Sequence, residues 1–410
     1  MTIATTIELR DLETPCLLLD EARMQHNILR MQGRMDALGV NFRPHVKTSK
    51  CAEVVRRQQT AGARGITVST LKEAERFFAE GFKDILYAVA IVPAKFEQAL
   101  RLIRAGLGLT LLLDSVETAA RLSAHGQANG VCYPVMIEID TDGHRSGLAP
   151  EDPRLLDVAA ALQTLVQADG AQGQAGFSQA GASAGARAGA RAGAQLVGVM
   201  THAGSSYALN TPEALAAMAE QERAGCVRAA ERLRAQGHAC PVVSVGSTPT
   251  ALSAALLQGV TEVRAGVYVF FDLVMAGTGV CSTDDIALSV LCTVIGHRPE
   301  TGWLITDAGW MAMSRDRGTR TQALDYGYGL VCDAHGRPID GLVFNDANQE
   351  HGVLHWQGDP GADLVERFPI GSLLRIVPNH ACATGAQHEG YRVLDAHRRV
   401  REAWPRFSGW

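Results

Sequence analysis

The feature that most constrains the fold is a regular alternation of short apolar runs with longer helical patterns, which occupies the N-terminal two thirds of the 410-residue chain. Each apolar run is short enough for a buried parallel strand, and each spacer is long enough for a crossover helix. The apolar runs occupy residues 40–46, 65–69, 84–88, 109–114, 134–140, 196–201, 241–245 and 261–265. The helical patterns occupy residues 21–38, 51–61, 71–80, 93–105, 116–128, 151–168, 212–235 and 250–257.

Eight strands alternating with eight helices predict an α/β fold, a (β/α)8 barrel of the TIM type at residues 20–275. The alternative is an open doubly wound sheet, which normally carries a GxGxxG turn after an early strand. The sequence has no such turn, so we prefer the barrel. A low-complexity stretch at residues 170–194 contains the tandem GARAGARAGAQ and almost no large apolar residues. We predict a solvated loop insertion there, away from the active face.

The pattern changes after residue 275 to strand-like segments that are separated by short polar turns. These segments occupy residues 287–297, 303–307, 341–344 and 373–377. Because no long helix intervenes, they predict a smaller, mostly antiparallel β-domain. The apolar run at residues 17–19 precedes the first helix and is a candidate extra strand, so we predict that this domain combines residues 1–19 with 276–410.

Composition and charge exclude several classes of function. Apolar residues make up 47% of the chain and charged residues 20%, which is typical of globular proteins. The formal net charge of −5 argues against nucleic acid or an anionic membrane as the main partner, since both select for basic surfaces. No apolar run is long enough to span a membrane, and the start of the chain does not resemble a secretory signal. The nine cysteines include no CxxC pair, so we expect reduced thiols and a cytoplasmic enzyme.

A lysine follows the first predicted strand, where barrels place their active sites. Lys47, in the segment RPHVKTSK, comes after a hydrophobic residue and is expected to point into the mouth of the barrel. Partial loss of water disfavours an ammonium group, which is how a lysine becomes a nucleophile toward a carbonyl carbon. The alternative is a solvated surface charge, and we expect Lys50 in the same segment to be one.

Polar residues also follow the fifth and sixth strands. The segment DTDGHRSG, which contains Arg145, has the density of charge and glycine that suggests a ligand loop, with a structural ion-pair cluster as the alternative. The segment THAGSSY adds the imidazole of His202 and the phenol of Tyr207 at the same rim. A histidine in such a position is often a structural residue with its hydrogen bonds satisfied, so both readings stay open.

The seventh and eighth strands end in turns that suit a phosphate. Ser247 and Thr248 lie in VGSTPT before a predicted helix, and Gly266 and Tyr268 lie in RAGVY. Barrels commonly bind phosphate after these two strands, through backbone N–H groups and a helix dipole. A helix N-cap alone would also explain the serine and threonine. A phosphate site opposite Lys47 suggests pyridoxal phosphate with the lysine as its attachment point.

His380 and Cys382 follow a strand-like run in the predicted β-domain. On an extended segment, residues two apart place their side chains on one face. An imidazole and a thiolate form a zinc-type ligand pair, but two ligands are too few for a structural site. Unless the pair is a coincidence, water or substrate completes the shell and the metal is catalytic.

Six segments of the sequence closely resemble the D-threonine aldolase and D-serine dehydratase family: RPHVKTSK, DTDGHRSG, THAGSSY, VGSTPT, RAGVYVFFD and PNHACATG. Members of this family are fold-type III pyridoxal phosphate enzymes, related in architecture to alanine racemase. The similarity covers nearly the whole chain apart from residues 170–194. It implies that Lys47 holds the cofactor and that His380 and Cys382 bind a divalent ion (Mn²⁺, Mg²⁺, Zn²⁺ or Co²⁺) beside it.

The same resemblance implies further roles. The residues implied to bind the phosphate are Ser247, Thr248, Gly266 and Tyr268. Those implied to face the pyridoxal ring or its phenolic oxygen are Arg145, His202 and Tyr207. Those implied to support the metal or the substrate, from the segment NQEHG, are Gln349, Glu350 and His351. Arg315 and Arg317 in SRDRGT are candidates to bind a second carboxylate of the substrate, with surface salt bridges as the alternative.

The function that the resemblance implies is a metal-assisted elimination of water from a small 3-hydroxy D-amino acid. Hydroxyaspartate would give oxaloacetate and ammonia, and D-serine would give pyruvate and ammonia. Hydroxide leaves poorly, so a Lewis acid on the β-oxygen is needed. The family also implies a homodimer, and it leaves open whether the metal pair meets Lys47 within one chain or across the dimer.

Other functions are also open. Retro-aldol cleavage would use the same cofactor and metal and would give glycine and an aldehyde. Cys382 favours the dehydratase, because aldolases of the family tend to carry His-x-Asp in place of His-x-Cys. Racemisation has no use for a metal pair. A non-catalytic protein that binds pyridoxal phosphate is a further alternative, but such proteins are typically single-domain barrels.

Overall fold

The computed structural model describes residues 7–162, 193–359 and 363–409. Most of the predicted insertion at residues 170–194, and the end of the predicted helix at 151–168, lie outside the described residues. The described residues form an eight-stranded parallel sheet and a nine-stranded, mostly antiparallel sheet. None of the helices among them is long and apolar enough to cross a membrane.

The parallel sheet is closed into a barrel. After a first strand that belongs to the other sheet, β1 (Cys16–Asp20), the barrel strands are β2 (Asn41–Phe42), β3 (Ile66–Val68), β4 (Asp84–Ala90), β5 (Gly108–Leu113), β6 (Tyr133–Ile139), β7 (Ala194–Thr201), β8 (Val242–Val245) and β9 (Glu262–Val263). Their order in the sheet is β2-β9-β8-β7-β6-β5-β4-β3. A parallel bridge between His45 and Thr67 joins the two ends of this order. The structure therefore confirms the predicted (β/α)8 barrel.

Helices surround the barrel on its outer side. They are α1 (Glu21–Ala37), α2 (Ala52–Thr60), α3 (Leu71–Ala79), α4 (Phe96–Arg104), α5 (Val116–Asn129), α6 (Arg154–Leu162), α7 (Pro212–Ala235) and α8 (Thr248–Ser253). Thr211 caps α7 with its side chain, and proline occupies the first position of that helix, which are both strong start signals. Strands and helices share one large apolar core, to which β6 contributes Tyr133, Val135, Ile137 and Ile139, whereas Met136 on the other face of the strand packs in a smaller cluster with Leu86, Leu112 and Met200. Burial of both faces is what parallel strands covered by helices require.

The second sheet combines β1 with the C-terminal part of the chain. Its other strands are β10 (Leu288–Arg298), β11 (Trp303–Thr306), β12 (Gly329–Asp333), β13 (Pro338–Ala347), β14 (Gly352–Trp356), β15 (Leu373–Pro378), β16 (Gly390–Leu394) and β17 (Val400–Pro405). The order is β11-β14-β13-β12-β15-β10-β1-β16-β17, and β11 also pairs with β10. The short helices α9 (Leu273–Gly277), α10 (Trp310–Met313), α11 (Leu364–Arg367) and α12 (Ala381–Gly385) lie between strands or before them. The predicted strand at residues 17–19 is confirmed, because β1 pairs with both β10 and β16.

Some element boundaries differ from the predictions. The first predicted strand, at residues 40–46, ends at Phe42, and the chain then turns so that the Lys50 N–H donates to the Val46 carbonyl. Strands β12, β14, β16 and β17 were not predicted. Three of them begin with glycine. Because glycine is depleted in strands, its presence weakens the sequence pattern that would predict a strand there.

The prediction that Lys50 is a solvated charge is wrong. Its side chain is 3% exposed, and Nζ lies 2.9 Å from Glu73 Oε1 on α3. The same ammonium donates to the Gly409 carbonyl at 2.8 Å. The physical reason is the turn after Val46, in which Lys50 adopts a positive φ of 42° and directs its side chain beneath α3.

Candidate active site

Lys47 lies half-buried in the turn that follows β2. Its backbone N–H lies 3.5 Å from His45 Nδ1. Burial, together with the charges of Lys47 and Arg264, holds the pKa of His45 well below its usual value, so the ring is neutral. The Lys47 amine and a neutral imidazole therefore share the end of the first barrel strand.

His202 follows β7 and is also neutral. Burial and the nearby Arg145 charge lower the pKa of His202 to about 3. Its Nδ1 lies 2.9 Å from the Gly246 carbonyl oxygen, which can only accept a hydrogen bond. Nδ1 must therefore carry the proton, and this leaves the Nε2 lone pair available as an acceptor.

The loops after β6 and β7 form a joined rim. Arg145 is exposed in the first loop, and its charge reaches both His45 and His202. The Ser205 N–H in the second loop donates to Asp142 Oδ2 at 2.9 Å, which ties the two loops together. Arg145 is thereby placed beside the two neutral histidines.

The turns after β8 and β9 are tightly connected. Ser247 caps α8 by accepting the Thr250 N–H at 3.2 Å, so its hydroxyl serves the helix cap. Thr248 Oγ1 accepts the Tyr268 N–H at 3.2 Å and so joins the two turns. Gly266 approaches the first strand end so closely that a Cβ there would lie 3.1 Å from the His45 carbonyl oxygen. The strand ends that the sequence predicted to bind a phosphate thus lie together, beside the segment that carries Lys47.

The two candidate tyrosines occupy different environments. Tyr268 is fully buried, and its hydroxyl accepts a hydrogen bond from Gln58 Nε2 at 2.7 Å. Its side chain therefore supports the wall of the site rather than reaching the rim. Tyr207 is only partly buried, and its pKa is raised by desolvation and by the nearby Cys382 thiol. Tyr207 thus lies between the barrel rim and the metal-ligand pair.

Cys382 contacts the residue that follows Lys47 in the same chain. Cys382 Sγ lies 3.2 Å from the hydroxyl of Thr48, the residue after Lys47. Burial opposes ionisation of the thiol, but His380 and Lys47 outweigh it and lower the pKa of Cys382. Burial opposes ionisation of His380 as well, but Cys382 and Asp316 outweigh it and raise the pKa of His380 to about 11, so a metal that binds both side chains must displace the imidazolium proton.

The pair does not lie on an extended segment, and that part of the prediction is wrong. His380 is the N-cap residue of α12, and Cys382 belongs to the first turn of that helix. The side chains are brought together by the start of a helix, because the chain leaves β15 at Pro378.

Asp316 is a site residue that the sequence interpretation did not single out. Its Oδ2 lies 2.6 Å from His380 Nδ1. A carboxylate that binds one imidazole nitrogen orients the ring and leaves Nε2 for a metal, which is the usual arrangement at metal-binding histidines. Asp316 lies between Arg315 and Arg317 in SRDRGT, a segment that we interpreted only for its arginines.

Glu222 on α7 is a second residue that was not predicted. It is 1% exposed, and its Oε1 accepts the N–H groups of Ala203 at 2.9 Å and Gly246 at 3.1 Å. Burial raises the pKa of Glu222. The sequence offers no signal for this contact, since Glu222 is one of several glutamates in a long helix.

The candidate substrate residues lie on the second sheet. Arg317 pairs with Asp325 at 3.0 Å, whereas the exposed Arg315 stacks 4.1 Å above the centre of the Trp310 ring. The three residues of the segment NQEHG, which occupy the exposed turn between β13 and β14, are Gln349, Glu350 and His351. Within the described ranges, no hydrogen bond joins their side chains to His380 or Cys382.

The residues fit both groups that the sequence implies. A lysine, two neutral imidazoles and close-packed turns suit pyridoxal phosphate. An oriented imidazole and a thiol with a lowered pKa suit a divalent ion of borderline softness. No set of three histidine, cysteine or acidic side chains suited to a metal occurs in the described part of the chain, so water or substrate would complete the shell.

Two family models match the chain. The model for the N-terminal domain of alanine racemase matches residues 19–172 and 154–274, which include the barrel. The model called putative serine dehydratase domain matches residues 287–394 of the second sheet. Together they assign both sheets to an alanine racemase-like architecture.

Several known enzymes are similar over nearly the full length. D-threo-3-hydroxyaspartate dehydratase of Delftia sp. (strain HT23) is 57% identical, over 97% of this chain and 98% of that one. Its solved structure matches with a TM-score of 0.90 at 56% identity and covers 98% of this chain and 100% of that chain. A further structure of that enzyme is a cysteine-to-alanine variant in the metal-free form.

More distant relatives include both chemistries that the sequence left open. D-serine dehydratase of Dictyostelium discoideum is 29% identical over 98% of each chain. D-threonine aldolase of Arthrobacter sp is 29% identical over 93% of this chain and 89% of that one. The similarity to a dehydratase at 57% identity is therefore much stronger than the similarity to this aldolase.

Proposed function

The chain belongs to the family of D-serine dehydratases and D-threonine aldolases, and from this premise we propose that it is a lyase that depends on pyridoxal phosphate and a divalent metal. The reaction is elimination of water from a 3-hydroxy D-amino acid. The main substrate is D-threo-3-hydroxyaspartate, which gives oxaloacetate and ammonia, and D-serine is a second substrate. The observation that carries this proposal is the contact between Thr48, next to Lys47, and Cys382 of the metal pair.

Lys47 is the proposed catalytic residue. It anchors the cofactor, and its Nζ accepts the proton from the substrate α-carbon. When bound, pyridoxal phosphate supplies the electron sink that makes this proton acidic. Lys47 is half-buried, and the two histidines near it are neutral. The histidines therefore add no positive charge beside the amine.

The rim residues hold the cofactor in this proposal. The turns with Ser247, Thr248 and Gly266 bind its phosphate, with Tyr268 as the wall behind them. Arg145, His202 and Tyr207 face the ring. His202 offers an acceptor at Nε2, since Nδ1 donates to Gly246.

His380 and Cys382 hold the metal, which would supply a Lewis acid for the departing hydroxide. Asp316 keeps His380 in the orientation that directs Nε2 toward the ion. Among the divalent ions considered, the nitrogen and sulfur donors favour Zn²⁺ or Co²⁺ over Mg²⁺, which prefers oxygen.

Binding of the second carboxylate of hydroxyaspartate is assigned to Arg315. Arg317 already has the carboxylate of Asp325 as a partner, whereas Arg315 is exposed and stacks on Trp310. A guanidinium fixed on an aromatic ring loses little additional freedom when it binds a carboxylate. Gln349, Glu350 and His351 take supporting positions in the neighbouring turn, whose backbone carbonyls accept hydrogen bonds from the residues around Trp310.

The proposal assigns residues 20–275 to the cofactor-binding barrel and residues 1–19 plus 276–410 to the domain that carries the metal pair. The protein acts as a homodimer in this proposal, as the family resemblance implies. Because Cys382 contacts Thr48 of its own chain, we propose that the ligands for the ion come from the same chain as Lys47.

Product identification tests the proposed reaction. The purified protein is incubated with D-threo-3-hydroxyaspartate, D-serine and D-threonine in parallel, together with pyridoxal phosphate and a divalent ion. Ammonia with a 2-oxo acid and without glycine is the expected result for hydroxyaspartate. Glycine without ammonia would establish the aldolase instead, because cleavage of the bond between Cα and Cβ leaves the amino group on glycine.

A further inference from the structure

We propose that Glu222 is a positioning residue that joins the turn after β8, which binds the phosphate of the cofactor, to the turn after β7, which carries His202, so that affinity for the phosphate depends on it. This inference rests on the proposed function, because the phosphate belongs to the proposed cofactor. The buried carboxylate lies on α7, behind the turns, and does not itself touch the cofactor in this proposal.

One carboxylate oxygen spans two strand ends. Glu222 Oε1 accepts the Ala203 N–H, in the turn after β7, and the Gly246 N–H, in the turn after β8, at 2.9 and 3.1 Å. Both bonds are buried, so loss of this acceptor would leave two N–H groups without a partner, which costs more than the net contribution of the bonds themselves. The distance between the two turns is therefore set by a side chain from a helix that neither turn belongs to.

Gly246 connects this contact to the histidine at the rim. Its N–H donates to Glu222, and its carbonyl accepts the Nδ1–H of His202 at 2.9 Å. The residue has a φ of 131°, and a Cβ there would collide with the Arg264 carbonyl oxygen, so only glycine fits. Glu222 thus fixes the peptide on which the orientation of His202 depends.

Buried hydroxyls join the same two turns by a second route. Ser206 Oγ lies 2.8 Å from Ser247 Oγ, which lies 2.9 Å from Thr250 Oγ1. Burial raises the pKa of Glu222, and the Thr250 hydroxyl is near enough to the carboxyl group to act against that shift. Glu222 is therefore where both connections between the turns meet.

Burial of a carboxyl group is unfavourable in free energy unless it accepts hydrogen bonds. At Glu222 these N–H and hydroxyl donors offset that penalty. The arrangement stiffens two turns that would otherwise be held mainly by their own strands. Preorganised turns bind an anion more tightly because less ordering is needed when the anion arrives. The effect of Glu222 should accordingly be larger at the phosphate, which the turn after β8 binds directly, than at the ring, which Glu222 reaches only through Gly246 and His202.

The test compares pyridoxal 5′-phosphate with pyridoxal, which lacks the phosphate. Dissociation constants of both are measured on protein freed of cofactor, for the wild type and for Glu222→Ala. The variant should bind pyridoxal 5′-phosphate about tenfold to a hundredfold more weakly, the range expected when buried N–H groups lose their acceptor. Its affinity for pyridoxal should fall by a clearly smaller factor, because Glu222 reaches the ring only through Gly246 and His202. Glu220→Ala is the matched control, since Glu220 lies on the exposed side of the same helix and pairs with Arg223.

Equal loss of affinity for both ligands, or no loss for either, would overturn the inference. If Glu222→Ala does not fold, Glu222→Asp replaces it. The shorter side chain keeps the charge but cannot reach both N–H groups, so it should show the same selective loss. A wild-type protein that binds no pyridoxal 5′-phosphate would overturn the proposed function and this inference with it. If the wild type binds pyridoxal 5′-phosphate but the variant has the same ratio of affinities for pyridoxal 5′-phosphate and pyridoxal as the wild type, only this inference is overturned.

Discussion

Thr48 Oγ1 lies 3.2 Å from Cys382 Sγ, although the two residues are 334 positions apart in the chain. Thr48 follows the lysine of the barrel, and Cys382 belongs to the candidate metal pair of the second sheet. The contact places both chemical groups of the proposed reaction in one chain. It supports the interpretation in which the metal pair acts with the lysine of its own chain.

The first prediction concerns the attachment of the cofactor. Lys47→Ala should lose the visible absorbance of the lysine-bound cofactor and all ammonia release, because no other amine in the site takes its place. Absorbance spectra after reconstitution with pyridoxal phosphate measure the effect. Lys72→Ala is the control, since Lys72 is exposed at the start of α3. An unchanged absorbance band in Lys47→Ala would remove this lysine from the account.

The second prediction concerns the metal. Cys382→Ala should abolish binding of the divalent ion, and Asp316→Asn should weaken it about tenfold to a hundredfold, because loss of a carboxylate behind a histidine ligand typically has that effect. Metal content after dialysis, measured by atomic emission, checks both. Cys132→Ala, at an exposed cysteine, should retain the wild-type content. Asp316→Asn protein with wild-type metal affinity would show that the Asp316–His380 contact is only structural.

The third prediction concerns the buried ion pair behind Lys47. Lys50 and Glu73 are both 3% exposed, so removal of one partner leaves an uncompensated charge. Lys50→Met alone should destabilise the protein by about 3–5 kcal/mol, and the double variant with Glu73→Leu should cost less than the sum of the two single changes. Urea-induced unfolding measures these free energies.

The control for this cycle is an exposed ion pair. Arg121 and Glu117 lie one helical turn apart on α5, with side chains 57% and 79% exposed. Their pair should contribute no more than about 0.5 kcal/mol. Additive losses at Lys50 and Glu73 would contradict the assigned coupling between these two residues.

The fourth prediction concerns stability at low pH. The folded protein holds the pKa of His202 at about 3, below the value near 6.5 of an unfolded chain. Between these values the unfolded state binds a proton that the folded state does not, so stability is complete above about pH 6.5 and falls as the pH is lowered toward 3. The His202→Gln variant cannot take up this proton. Its stability should therefore fall less steeply than that of the wild type as the pH is lowered.

Urea midpoints measured across this pH range check the fourth prediction. The slope should be reduced but not abolished, since burial also depresses the pKa of His45. His397→Gln, at an exposed histidine, should follow the wild-type curve. If His202→Gln also follows it, His202 does not titrate as the structure indicates.

Local patterns made much of the fold predictable. The boundaries of α7 were predicted correctly at residues 212–235, because a threonine cap, a proline and an amphipathic pattern all mark it. The barrel strands were found because burial on both faces makes them continuous apolar runs. Strands such as β12 and β14 were not predicted, because they are short and begin with glycine. They also belong to a sheet whose strands show a weaker hydrophobic pattern in the sequence.

The site was less predictable because its contacts link distant residues. His380 and Asp316 are 64 positions apart, and nothing in either segment indicates that they meet. Glu222 binds two turns from a helix whose pattern signals only a buried face. Lys50 shows the reverse case, in which a charged residue that seemed suited to solvent is buried by a turn that the sequence pattern did not reveal.

The central claim is that Lys47 and the His380–Cys382 pair serve one site. Phosphorus NMR of the cofactor bound to Lys47 tests it, with paramagnetic Co²⁺ added to the reconstituted protein. Co²⁺ bound near the cofactor should broaden the phosphate resonance in the wild type, and the broadening should be absent in Cys382→Ala. A wild-type resonance that stays sharp with one equivalent of bound Co²⁺ would contradict the account, because the metal would then lie away from the cofactor.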